Sequence, residues 1–175
     1  SFQSLKCRFA SVLCRGGKAN FNWKAIQNNK NSIRGGMVMQ GYNAIVVFCE
    51  NADKVLMCKR RRNPYKGLLN FVGGKIEKDE NGLDAAYREL EEETTISRND
   101  IVLSHLMDFT YYFGNCYLEV YVGKLNKAVD VSGDENELYW STLDHDFFDV
   151  TQYAGEGNIG HIMMHVKMYQ EELLK

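Results

Sequence analysis

The residues most able to do chemistry in this 175-residue chain are packed into Arg88-Glu89-Leu90-Glu91-Glu92-Glu93. On a helix at about 100° per residue, Glu89, Glu92 and Glu93 gather on one arc, because spacings of three and four stack side chains on one face. Leu83, Ala86, Tyr87 and Leu90 gather on another, which predicts a helix over 84–94 with one side against a core. Like charges at such spacings repel by about 0.2–0.5 kcal/mol per pair, so this face calls for a cation. Three oxygen donors on one rigid helix suit Mg²⁺, with Mn²⁺ as the alternative, and such an ion commonly joins carboxylates to a substrate phosphate.

Upstream stand Gly73-Gly74 and a lone Glu80. Gly74, five residues, Glu80, seven residues, Arg88-Glu89-Leu90, one residue, Glu92-Glu93, one residue and Thr95-Ile96 resembles the Nudix box, G-x5-E-x7-R-E-U-x-E-E-x-G-U, with U bulky and aliphatic. The one departure is Thr95, where the family has glycine. That position follows the helix end, where a positive φ is often needed and a β-branched residue is strained. Thr95 therefore bears on how the helix ends, while the carboxylates are intact.

The resemblance implies roles. Glu92 and Glu93 look like central metal ligands, Glu89 like a further ligand or the base acting on water, and the Gly73 carbonyl like the family's backbone ligand. Arg88 is expected to orient the glutamates, reaching Glu92 at i+4 and Asp84 at i−4. Glu80 resembles the glutamate that braces the loop. Asp134 or Glu135 occupies the place from which the family often draws a base or extra ligand. Within Lys59-Arg60-Arg61-Arg62, Arg60 is the first choice for a triphosphate contact. Asn70 matches an asparagine that touches the base in mammalian MutT-like enzymes, which destroy oxidised purine nucleoside triphosphates. Asn158 matches one that reads the purine edge in the bacterial type, although an N-cap for the last helix explains it equally well. Phe71, Tyr153 and Trp140 could stack a base or fill the core.

The bulk composition agrees with one domain. The chain is 45% apolar with a net charge of −2, enough for a sizeable core. Residues 1–36 hold seven of the 21 basic groups and no acidic one, leaving fourteen against all 23 Asp and Glu, a net of −9. This divides the chain into a basic arm, 1–36, and an acidic Nudix domain, 37–175. The arm reads as a transit segment, a phosphate-binding arm, an extension packed on the domain, or sequence upstream of a natural start, since Met37 and Met39 precede the first strand. Five cysteines without a C-x-x-C pair argue against a disulfide framework or zinc, and for a reduced, cytoplasmic setting. His161 and His165 have metal spacing but no third ligand beside them. No apolar run is long enough to span a bilayer.

Strands are predicted over 43–49, 54–59, 68–72, 101–113, 116–125 and 138–140, with a second helix over 159–174. Strands flanking a helix, then a hairpin, a strand and a terminal helix give an α/β fold, and the family implies an α-β-α sandwich with a mixed sheet between helices. The activity implied is cleavage of a diphosphate link in a small-molecule nucleotide: an oxidised purine nucleoside triphosphate to monophosphate and pyrophosphate. The alternatives are a dinucleotide, a sugar nucleotide, an RNA 5′ end, or a silent nucleotide-binding regulator.

Overall fold

The computed structural model describes residues 39–133 and 135–175; the basic arm lies outside them. Six strands and two helices follow one another as β1 (Gln40–Phe48), β2 (Lys54–Lys59), β3 (Leu69–Asn70), α1 (Gly82–Thr94), β4 (Ser104–Tyr111), β5 (Cys116–Lys124), β6 (Glu137–Thr142) and α2 (Asn158–Leu173). The sheet runs β3-β2-β1-β5-β4, and β6 pairs along β2. The β1–β5 ladder is parallel and the others are antiparallel, so the sheet is mixed.

Strand β1 shows why. Its unbroken apolar run is buried on both faces, as expected for a strand with cover on each side. Ala44, Val46 and Phe48 pack with Ile159, Ile162 and Val166 of α2. Ile45 and Val47 pack with Ala86 and Leu90 of α1. The result is the α-β-α sandwich.

Three local expectations need correction. Leu83 is 37% exposed, in the first turn of a helix that starts earlier, at Gly82, capped by Asn81 through its side chain, and Ala85 is buried with Ala86, Leu90 and Thr94 instead. The predicted strand over 68–72 is two residues long and then continues as a bridge from Val72 to Ile45. That bridge lays the following glycines beside β1. The strand predicted over 101–113 is shortened at both ends: Ile101 bridges Leu125, and Tyr112–Gly114 form a 3-10 turn. Among the described residues no helix is long and apolar enough to cross a membrane.

Candidate active site

Two short segments carry the carboxylate site: the turn after β3 and the outer face of α1. Gly73 enters the turn at φ 138° and its amide donates to Glu93 Oε2 at 3.0 Å. Gly74 donates to Asn43 Oδ1 at 3.1 Å, and its carbonyl accepts from the Asn43 amide at 2.9 Å. A Cβ on Gly74 would stand 2.2 Å from Glu89 Oε2. The glycines are thus required by close approach to strand and helix alike. Among the described residues, no hydrogen bond is made to the Gly73 carbonyl.

The cation that the acidic face calls for is, within this chain, Arg88. Its Nε and Nη2 grip Glu80 at 3.0 and 2.9 Å, Nη1 donates to Glu89 at 2.8 Å and Glu92 at 3.3 Å, and Nη2 also reaches the Lys75 carbonyl at 3.0 Å. Glu80 in turn accepts from the Glu77 amide, so one guanidinium ties the loop to the helix. The Arg88 bonds hold the Glu80 carboxyl below its ordinary range. The expected contact of Arg88 with Asp84 is absent. Asp84 is taken by Arg98 and Asn81.

Glu93 has a different environment. Burial pushes its carboxyl up to about 7, and repulsion from Glu89 and Glu135 adds to this, while the Gly73 amide and Arg60 act the other way. Arg60 and Glu135 therefore both act electrostatically on Glu93, from different loops. The Glu135 loop is docked by Gly133, where a Cβ would lie 2.3 Å from the Glu93 carbonyl oxygen. Asp134, the other candidate there, lies outside the described residues.

Among the described residues, no three Asp, Glu, His or Cys side chains stand together as a ready metal cluster, since Glu89 and Glu92 face Arg88 and Glu93 faces an amide. The donor set nevertheless fits a hard divalent ion. It is all oxygen, Glu89 and Glu93 repel one another, and the Gly73 carbonyl beside Glu93 takes no other bond.

A family model for the NUDIX domain matches residues 39–158. The chain belongs to the Nudix family. No curated protein sequence matches it. Solved Nudix structures share its fold. A MutT studied in Aliivibrio salmonicida and Vibrio cholerae is 20% identical, with 74% of this chain and 98% of that one covered at a TM-score of 0.54. The Ap4A hydrolase of C. elegans is 19% identical over 73% and 98%, with a TM-score of 0.57. The NUDIX domain of Shewanella oneidensis NrtR, solved with ADP ribose, is 18% identical over 86% and 94%, with a TM-score of 0.60. With the carboxylates of its box intact, this Nudix domain is a pyrophosphohydrolase.

The residues expected to meet substrate are spread over several elements. Arg60 is anchored by its Nε to the Pro64 carbonyl at 2.9 Å. Asn70 ends β3, whose Leu69 pairs with the segment Gln152–Ala154 that leads to α2. Asn158 is not a cap: Gly157, at φ 97°, holds that position, and the Asn158 amide donates to the Tyr111 hydroxyl. Phe71 and Tyr153 are core residues, and Trp140 packs against the cluster under α1. The His161 and His165 rings lie edge to face at 4.7 Å, with no third ligand among the described residues.

Sequence reasoning overlooked Asn43, Gly133 and the bond from the Tyr65 hydroxyl to Glu156 at 2.6 Å, which joins the basic loop to the turn before α2. Only Asn43 left a trace: a carboxamide at the head of an apolar strand run is out of place.

Proposed function

We propose that this Nudix enzyme hydrolyses a purine nucleoside triphosphate, oxidised purines by preference, to the monophosphate and pyrophosphate with Mg²⁺. The reaction breaks one bridging P–O bond, the water oxygen bonds to phosphorus, and its proton leaves to a base. What carries the reading is Glu93, its carboxyl raised to about 7 by burial, next to the unbonded Gly73 carbonyl and acted on by Arg60, just past the end of β2.

Glu89, Glu92, Glu93 and the Gly73 carbonyl would hold the divalent ion. When bound, the ion neutralises phosphate charge and lowers the pKa of a coordinated water. The chain's own residues do the rest. Arg88 keeps Glu89 and Glu92 on one side of the helix. Arg60 supplies positive charge to the polyphosphate. Glu135, whose charge acts on Glu93, is the candidate from its loop to accept the proton. Asn70 and Asn158, on segments joined through Leu69, offer amides that can match both donor and acceptor edges of a purine.

One feature favours a second reading. Lys59, Arg60, Arg61, Arg62 and Lys66 crowd eight residues at the end of β2 and in the loop after it, more cation than a single triphosphate needs. A dinucleoside polyphosphate or an ADP-ribose-like substrate would use it, in line with the Ap4A hydrolase and the ADP ribose complex among the similar folds. A panel of nucleoside triphosphates, including 8-oxo-dGTP, and of dinucleotides and sugar nucleotides, with phosphate and pyrophosphate measured separately, decides between them. Pyrophosphate from 8-oxo-dGTP supports the first reading. Hydrolysis of the dinucleotides alone supports the second; turnover of none of the panel would leave a silent binder, which turnover abolished by Glu92→Gln rules out.

A further inference from the structure

We infer that Asn43 is a positioning residue for the reaction, the group that keeps the Gly73 carbonyl available as a ligand. The inference rests on the metal-site reading above. Gly73 and Gly74 together present two amides and two carbonyls. Glu93 accepts from the Gly73 amide, and Asn43 occupies both polar groups of Gly74, its Oδ1 taking the amide and its own amide meeting the carbonyl. Only the Gly73 carbonyl is left.

Asn43 also fixes the turn sterically. A Cβ at Gly73 would lie 2.4 Å from the Asn43 carbonyl oxygen and 2.8 Å from Oδ1. The backbone of β1 thus touches the turn at both glycines. If the carboxamide were lost, the Gly74 amide would be free to turn, and the Gly73–Gly74 peptide with it.

The side chain is 4% exposed, on the α1 face of the sheet, in register with buried Glu119 on β5. Its Nδ2 is a buried donor with no partner. An unpaired buried amide destabilises a fold, so an aliphatic side chain would serve packing better. The carboxamide's one bonded atom is the oxygen on Gly74, and this is where its contribution lies. Groups that orient a metal ligand without touching the ion typically change affinity by about 10–100-fold when removed.

The test compares Asn43→Ala, Asn43→Asp and Val46→Ala by Mn²⁺ binding without substrate, read by electron paramagnetic resonance, alongside melting temperature and the kcat and KM of nucleotide hydrolysis. Val46 lies on the opposite face of the same strand, packed toward α2, and serves as a packing control. The expected result is a Mn²⁺ affinity about tenfold or more weaker in Asn43→Ala. Its kcat should fall with KM for the nucleotide little changed. Asn43→Asp, which keeps an acceptor for the Gly74 amide, should recover most of both. Val46→Ala should melt lower but bind Mn²⁺ like the wild type. Wild-type Mn²⁺ affinity in Asn43→Ala overturns the inference, as does equal weakening in Val46→Ala at a matched loss of melting temperature. If Asn43→Ala does not fold, Asn43→Ser takes its place, since its hydroxyl is too short to reach Gly74. A wild-type protein that binds no Mn²⁺ removes the metal-site reading itself, and this inference with it.

Discussion

Oε2 of Glu89 lies where a side chain on Gly74 would begin: the distance to an ideal Cβ is 2.2 Å, and the other carboxylate atoms follow at 2.4 and 2.6 Å. Gly74, the glycine that opens the box, is therefore a space reserved for a carboxylate. Gly74→Ala should push Glu89 away from the turn while leaving the Gly74 amide bonded to Asn43. The expected outcome is a fall in kcat of about 10–100-fold with a melting temperature lowered by only a few degrees, measured by steady-state hydrolysis and thermal unfolding. Retained activity would show that Glu89 need not stand there.

Glu93 makes stability and activity pull apart. Its carboxyl titrates near 7 in the fold, raised first by burial from the ordinary 4.5. The folded state then binds more protons than the unfolded one between those values, so metal-free stability falls as pH rises from 5 to 8. Glu93→Gln keeps an acceptor for the Gly73 amide and removes the charge. At pH 8 without metal it should be more stable by roughly 1–2 kcal/mol, after allowance for solvent screening, and nearly inactive with it. For the wild type, metal affinity should climb with pH and level off above about 7, because the ion must displace that proton. Urea melts at pH 5 and 8 and titration calorimetry across that range check both parts.

The carboxylate spacing was readable in the sequence because helical geometry is local, and the αL position of Thr95 followed from its place after the helix. The partners of the charged groups were less so. Arg88 was expected on Asp84, but Arg98 occupies that carboxylate from beyond the helix and stacks on Tyr87 at 4.1 Å. Glu80, eight residues from Arg88, proved its main partner, because the loop folds back along α1. Asn43 was legible only as a carboxamide out of place beside an apolar run; its link to Gly74 was not, since that depends on the bridge between Ile45 and Val72, a pairing set by the sheet as a whole. Asn158 shows a neighbour prevailing, since Gly157 adopts the positive φ that ends the preceding turn and takes the capping position.

Arg88 joins four carboxylate contacts and one carbonyl through a single planar fork. A lysine has the charge but not that geometry. Arg88→Lys should cost about 1–2 kcal/mol of stability and about tenfold in kcat, the latter because Glu89 and Glu92 lose their common anchor. Since Glu80 and Arg88 act as a unit, the effects of Glu80→Gln and Arg88→Lys should fall well short of additive in a double-mutant cycle.

Thr95 sits at φ 67° and ψ 3°, its amide bonded to the Glu91 carbonyl. A left-handed backbone costs a non-glycine residue about 1–2 kcal/mol, partly offset by the greater freedom of glycine in the unfolded chain. Thr95→Gly should therefore raise stability by about 0.5–1 kcal/mol, a gain of roughly 1–4 °C in melting temperature. Turnover should be unchanged, because the Thr95 hydroxyl bonds only the neighbouring Thr94 carbonyl. A large gain in activity would mean that the threonine had been suppressing the site.

Arg60 can be separated from its neighbours in the basic loop by a pH signature. Its charge lowers the Glu93 carboxyl, as the bond from the Gly73 amide does. In Arg60→Ala that restraint is lost, so Glu93 should titrate higher and the acid limb of the pH–rate profile should move to higher pH. Arg61→Ala and Arg62→Ala should leave the limb in place. If Arg60 also meets the polyphosphate, KM for a triphosphate should rise by about tenfold in Arg60→Ala, the usual effect of removing one charge-assisted bond of roughly 1.4 kcal/mol. A shifted limb with unchanged KM would confine Arg60 to tuning Glu93, whereas a raised KM with an unmoved limb would place it on the substrate alone.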